Sequence, residues 1–162
     1  MRKIIVGVMG PGAATPKDLE RAYELGKLIA QENWVLLSGG RNAGVMDMVS
    51  KGAKSAGGLV IGIIPGGDNK NTSNSVDIAI VTGMGGARNM INVLSSDVVI
   101  ACGMGAGTAS EVAHAIKANK NVILLTDDAE ANTFFQKLGK GKVTLAKNPQ
   151  EAILTAKKII NS

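Results

Sequence analysis

Aromatic side chains are almost missing from this chain: one Trp, one Tyr and two Phe make up 2% of 162 residues. Without aromatics there is little surface on which nucleic-acid bases can stack, and the lysines are scattered instead of gathered on one stripe. The net charge of +5 therefore points to small anionic ligands and away from nucleic acid. Cysteine and histidine are scarcer still, with Cys102 and His114 the single representatives of each. One thiol cannot close an intrachain disulfide, which fits a reducing compartment. One thiol and one imidazole cannot build a histidine- or thiolate-based metal centre, so no metal site is expected. Nothing approaches the roughly 20 apolar residues of a membrane span. The basic start, Met1-Arg2-Lys3, is followed only by the short apolar run Ile4–Met9, too brief for the core of a secretion signal. The expectation is a cytoplasmic protein with no membrane partner.

What remains is aliphatic and rich in glycine. Hydrophobic residues make up 45% of the chain, charged residues 19%, and there are 21 glycines. Such a composition folds as a globular unit, and 162 residues with no internal repeat or linker predict one domain, 1–162. Short apolar runs predict strands at Ile4–Met9, Trp34–Leu37, Leu59–Ile63, Val76–Val81, Asp97–Ala101, Asn121–Leu125 and Lys142–Leu145. Between them, amphipathic spacing predicts helices at Pro16–Glu32, Ala43–Ala56, Ala87–Leu94, Thr108–Ala118, Ala129–Leu138 and Pro149–Ile160. Thr15 and Pro16 supply a cap and a first-turn proline. The stretch Pro65–Ser75 has no apolar period and reads as a mobile loop. Strict alternation, with strands apolar on both faces, predicts an α/β fold: a doubly wound parallel sheet (Rossmann-like), helices on both faces and the first strand central.

In such sheets ligands bind beyond the carboxyl ends of the strands, and five glycine-rich segments fall there. They are Gly10-Pro11-Gly12, then Ser38-Gly39-Gly40-Arg41-Asn42-Ala43-Gly44, Pro65-Gly66-Gly67, Gly83-Met84-Gly85-Gly86 and Gly103-Met104-Gly105-Ala106-Gly107-Thr108. Five on one rim predict a backbone-lined cavity. The last segment runs from a buried strand into a helix, so its free N–H groups and the helix dipole favour an anion, with the Thr108 hydroxyl as a further donor. No Lys-Ser/Thr pair follows, so it is not a Walker loop. Arg88 and Arg41 are candidate phosphate ligands; a solvated loop position serves Arg41 equally well. Glu111, three residues beyond Thr108, shares its helix face. It is a ribose or base contact, a general acid or base, or a first-turn acid that favours the dipole. His114 and Cys102 read as structural, and Met84 and Met104 as core or cavity wall. The candidate ligand-binding set is Gly10, Gly12, Ser38, Gly39, Gly40, Arg41, Gly83, Gly85, Arg88, Gly103, Gly105, Ala106, Gly107, Thr108 and Glu111.

Three of these segments carry a resemblance. Ser38-Gly39-Gly40-Arg41-Asn42-Ala43-Gly44-Val45-Met46, Arg88-Asn89-Met90 and Gly105-Ala106-Gly107-Thr108-Ala109-Ser110-Glu111 resemble the superfamily once labelled lysine-decarboxylase-like. It includes the lonely-guy cytokinin phosphoribohydrolases and the molybdenum cofactor carriers. The resemblance implies a Rossmann-like fold and a homodimer or homotetramer; Met84–Leu94, rich in methionine and poor in charge, reads as a helix that packs against a partner subunit. For the hydrolases it implies cleavage of the N-glycosidic bond of a nucleoside 5′-monophosphate, with Arg88 and Glu111 catalytic. Gly103-Met104-Gly105 stands where those enzymes have Pro-Gly-Gly, and Ser38-Gly39-Gly40-Arg41 where they have a Gly-Gly-Gly form. Both departures are more similar to the carriers. They imply a protein that binds, protects and delivers the molybdenum cofactor (a phosphorylated pterin, molybdopterin) and cleaves nothing. A nucleotide sensor working through partners is a third reading.

Overall fold

The computed structural model describes residues 1–162. Its strands are β1 (Ile5–Met9), β2 (Val35–Ser38), β3 (Val60–Ile64), β4 (Ile78–Val81), β5 (Val98–Cys102), β6 (Val122–Leu125) and β7 (Val143–Leu145). Its helices are α1 (Pro16–Gln31), α2 (Gly44–Ser55), α3 (Asn89–Ser95), α4 (Ala106–Lys117), α5 (Ala129–Gly139) and α6 (Pro149–Ile160). All seven strands are parallel, in the order β4-β3-β2-β1-β5-β6-β7, with β1 central.

Alternation along each strand divides the apolar residues between two cores. Val6, Val8, Leu36, Val98, Ile100, Ile123 and Leu125 point into one, which α1, α2 and α6 cover with Leu25, Ile29, Val45, Val49 and Ile153. Met9, Leu37, Ile63, Val99, Ala101, Val122 and Leu124 point into the other, beneath α3, α4 and α5. Helices α1 and α2 meet through glycine. A Cβ on Gly26 would stand 2.0 Å from the Val49 carbonyl oxygen, and one on Gly52 would stand 1.9 Å from that of Tyr23.

The winding reverses between β1 and β5, where the crevice of a doubly wound sheet opens. All five glycine segments follow a strand at this carboxyl edge. No helix is long and apolar enough to cross a membrane.

Three expectations need correction. Strand β4 is not buried on both faces: it is the sheet edge, and all four of its residues are exposed. The helix expected at Ala87–Leu94 is a 3₁₀ turn, Gly85–Arg88, followed by α3. Gly85 has left-handed φ (57°), and the side chain of Arg88 is tied back to β3. Helix α4 begins at Ala106, two residues earlier than the apolar pattern shows, because glycine and alanine in a first turn carry no periodicity.

Candidate functional site

A cavity of about 290 Å³ opens at the switch point. Its floor is the turn after β1, Gly10-Pro11-Gly12, and the first turn of α4; Met46, Arg41, Arg88 and Asn89 close the sides.

The first turn of α4 is short of partners. Helices α1, α5 and α6 are capped by the side chains of Thr15, Asp128 and Asn148, which accept from backbone N–H groups. The cap of α4 is Gly105 in extended conformation, which offers no side chain. The N–H groups of Ala106, Gly107 and Thr108 therefore face the cavity unpaired, at the positive end of the dipole. Thr108 is 2% exposed, and its buried hydroxyl also has no hydrogen-bond partner. A buried polar atom without a partner costs free energy, and an anion accepting from these donors removes that cost.

Arg88 is 9% exposed. Its Nε donates to the Ile63 carbonyl at 2.8 Å and its Nη1 donates to Asn89 Oδ1. Its Nη2 lies against Gly39, where a Cβ would stand 2.8 Å from that nitrogen. Glycine at 39 thus leaves the room that the guanidinium occupies at the end of β2. Burial pulls the Arg88 pKa below its ordinary value, the Glu111 carboxylate works against that, and the Arg41 charge adds to it. Glu111 is 7% exposed. Burial pushes its pKa up to about 7, opposed by Asn92, whose Nδ2 donates to Glu111 Oε2 at 2.9 Å, and by the charge of Arg88. Arg88 and Glu111 line one cavity without forming a salt bridge. The site thus offers phosphate-sized anions a ring of donors, and it holds one carboxyl group that titrates near neutrality.

Arg41 is shared with a second cavity of about 350 Å³, walled by the Pro65–Ser75 segment. That segment, expected to be mobile, is tied to the rim. Asn42 N–H donates to the Asn71 carbonyl and Ser73 N–H to that of Gly40, both at 2.9 Å, and Arg41 bridges to Thr72.

Nine candidates chosen from the sequence line the first cavity: Gly10, Gly12, Arg41, Arg88, Gly105, Ala106, Gly107, Thr108 and Glu111. Gly85 lines the second. Ser38, Gly39, Gly40, Gly83 and Gly103 line neither. Ser38 Oγ accepts from the Gly40 N–H at 3.0 Å, while Gly40, Gly83 and Gly103 sit at left-handed φ. These five shape the rim. Sequence reasoning did not select Pro11, Met46, Asn89 or Asn92. Two of them carried a local signal: Asn89 directly follows Arg88, and Asn92 stands one helical turn beyond it. Cys102 is buried in the core, and burial followed by Asp18 pushes its thiol up to about 12, as suits an inert structural residue. Nowhere do three His, Cys, Asp or Glu side chains gather as a metal site.

The model of the SLOG cluster4 family matches residues 3–153. The structure of the molybdenum cofactor binding protein from the phototrophic bacterium Rippkaea orientalis is 60% identical, with a TM-score of 0.98 over 99% of both chains. That of the molybdenum cofactor carrier protein from Chlamydomonas reinhardtii is 50% identical, with a TM-score of 0.92 over 99% of this chain and 100% of that one. The cytokinin riboside 5′-monophosphate phosphoribohydrolase of Mycobacterium tuberculosis is 33% identical over 105 residues, which is 62% of this chain and 56% of that protein.

Proposed function

This chain belongs to the SLOG cluster4 family, and from that premise we propose that it is a carrier that binds, protects and delivers the molybdenum cofactor. The observation that carries the reading is end-to-end likeness, in sequence and in backbone, to two proteins described as binding or carrying that cofactor. The phosphoribohydrolase is matched over only part of either chain.

The residues present fit a phosphorylated pterin. The unpaired N–H groups of Ala106, Gly107 and Thr108 and the orphaned Thr108 hydroxyl take the terminal phosphate. Arg88 and Arg41 neutralise it, and Gly10 and Gly12 let the ligand approach the backbone. The cofactor is cargo, so no bond need break. Sequestration from water and oxidant is the service, and the donors hold the phosphate while the rim covers the rest. The carrier works as a homodimer or homotetramer in the cytoplasm. Ile78, Ile80 and Val81 on the edge strand β4, with Met84 and Leu94, are exposed apolar side chains suited to contact with a second copy.

Two assays on one purified sample test this. Bound molybdenum cofactor should oxidise more slowly than free cofactor, and Thr108→Asp should abolish that protection by placing a charge against the phosphate. Adenosine monophosphate and its N6-isopentenyl analogue should release no ribose 5-phosphate. Steady release that disappears in Glu111→Ala would instead make Arg88 and Glu111 catalytic and the protein a phosphoribohydrolase, because a carboxylate near the scissile bond stabilises charge on the ribose.

A further inference from the structure

The second cavity is built as firmly as the first. Besides the bonds from Asn42 and Ser73, Gly83 N–H donates to the Gly66 carbonyl and Gly85 N–H to that of Pro65, both at 2.9 Å. The wall facing Arg41 is therefore a hydrogen-bonded strap with its backbone committed. Asp68 is the one carboxylate lining it. Its Oδ1 accepts from the Lys70 N–H at 3.1 Å, which fixes the turn. Its only charged partner is Lys70 Nζ, 3.3 Å from Oδ2, and both side chains are more than half exposed. Such a pair contributes little and yields readily to a competing donor. No aromatic residue lines the cavity, so the flat surfaces among its lining residues are the guanidinium of Arg41 and the ring of Pro65.

We propose that this second cavity holds the ligand's heterocycle, and that Asp68 is the specificity-determining residue, reading an aminopyrimidinone edge. The inference rests on the reading of Gly105–Thr108 as the phosphate cradle. An ionised carboxylate only accepts, through two oxygens side by side. An aminopyrimidinone, whether in a pterin or in guanine, offers a ring N–H beside an exocyclic amine, two parallel donors that match it. Adenine offers an amine beside a bare ring nitrogen, so one carboxylate oxygen would meet a lone pair. Arg41, common to both cavities, spans the join between phosphate and ring. Asp68 thereby selects against adenine nucleotides that the phosphate cradle alone would accept.

Stable probes test this on the full-length protein. Guanosine 5′-monophosphate, adenosine 5′-monophosphate and inorganic phosphate are titrated calorimetrically into wild type, Asp68→Asn and Thr108→Asp. Wild type should prefer the guanine nucleotide by roughly tenfold or more, the usual discrimination of a bidentate pair. Asp68→Asn presents one acceptor and one donor, so it should erase or invert that preference and leave the affinity for inorganic phosphate unchanged. Equal affinity for the two nucleotides in wild type, or a guanine preference that survives Asp68→Asn, would overturn the inference while the phosphate cradle stands. Binding of all three probes that is indifferent to Thr108→Asp, or no binding at all, would overturn the cradle reading itself. Asp68 lies on an exposed turn, and an unchanged Tm of Asp68→Asn will show that the fold is intact.

Discussion

Thr108 and Glu111 stand one turn apart on α4, one a donor without an acceptor and the other an acid held out of water. The second condition makes stability depend on pH. Folded Glu111 keeps its proton up to about pH 7, whereas the unfolded chain releases it near 4.5. Between those values the native state binds more protons, so stability falls as pH rises and the loss is complete above about 7. The gap corresponds to ~3 kcal/mol. Glu111→Gln should therefore gain on wild type in denaturant midpoint from pH 5 to pH 8. A constant difference across that range would show that Glu111 is ionised throughout. The Thr108–Glu111 pair was legible in the sequence because helical spacing is local. The tie between Gly39 and Arg88 was not: a glycine reads alike whether it faces a ligand or a neighbour's guanidinium. Pro11 and Met46 escaped because only the closed fold brings them to the cavity that Arg88 lines, and Asn89, next to Arg88 in the chain, because an asparagine there has no chemistry of its own to single it out.

At the level of elements, alternation of apolar runs fixed type and order well and boundaries less well. Where glycine and alanine open a helix, as at Ala106–Gly107, no periodic signal exists to mark the start. Strand β4 is as apolar as its neighbours and so reads as buried, but exposure depends on position in the sheet, which composition does not carry. The loop Pro65–Ser75 has the composition of a mobile segment, yet its backbone bonds run to partners distant in sequence. The α1–α2 contact is the least forgiving part of the layer. Gly52→Ala would drive a methyl group against the Tyr23 carbonyl, and overpacking of this kind costs about 1–3 kcal/mol. Chemical denaturation should show a lower midpoint at unchanged slope. An unshifted midpoint would mean that the helices slide apart freely.

For the molecule as a whole, the central first strand and the shared rim followed from strand–helix alternation and the handedness of crossovers, both global rules that need no alignment. Assembly is argued instead from the surface. Two-fold contact through the exposed apolar residues Ile78, Ile80, Val81, Met84 and Leu94 predicts a sedimentation mass of two or four chains at micromolar concentration. Ile80→Lys with Leu94→Lys should lower it toward one. A wild-type monomer would refute the proposed assembly. The buried Cys102 has a consequence of another kind. It is the last residue of β5, immediately before the segment that leads into α4, and it is the only thiol in the chain. An alkylating reagent reaches it only when that end of the sheet opens, so its labelling rate is a clock for opening events. An anion bound at the α4 terminus stabilises the closed state. Labelling should therefore slow in proportion to occupancy, and the time course of its recovery would record when the bound anion leaves.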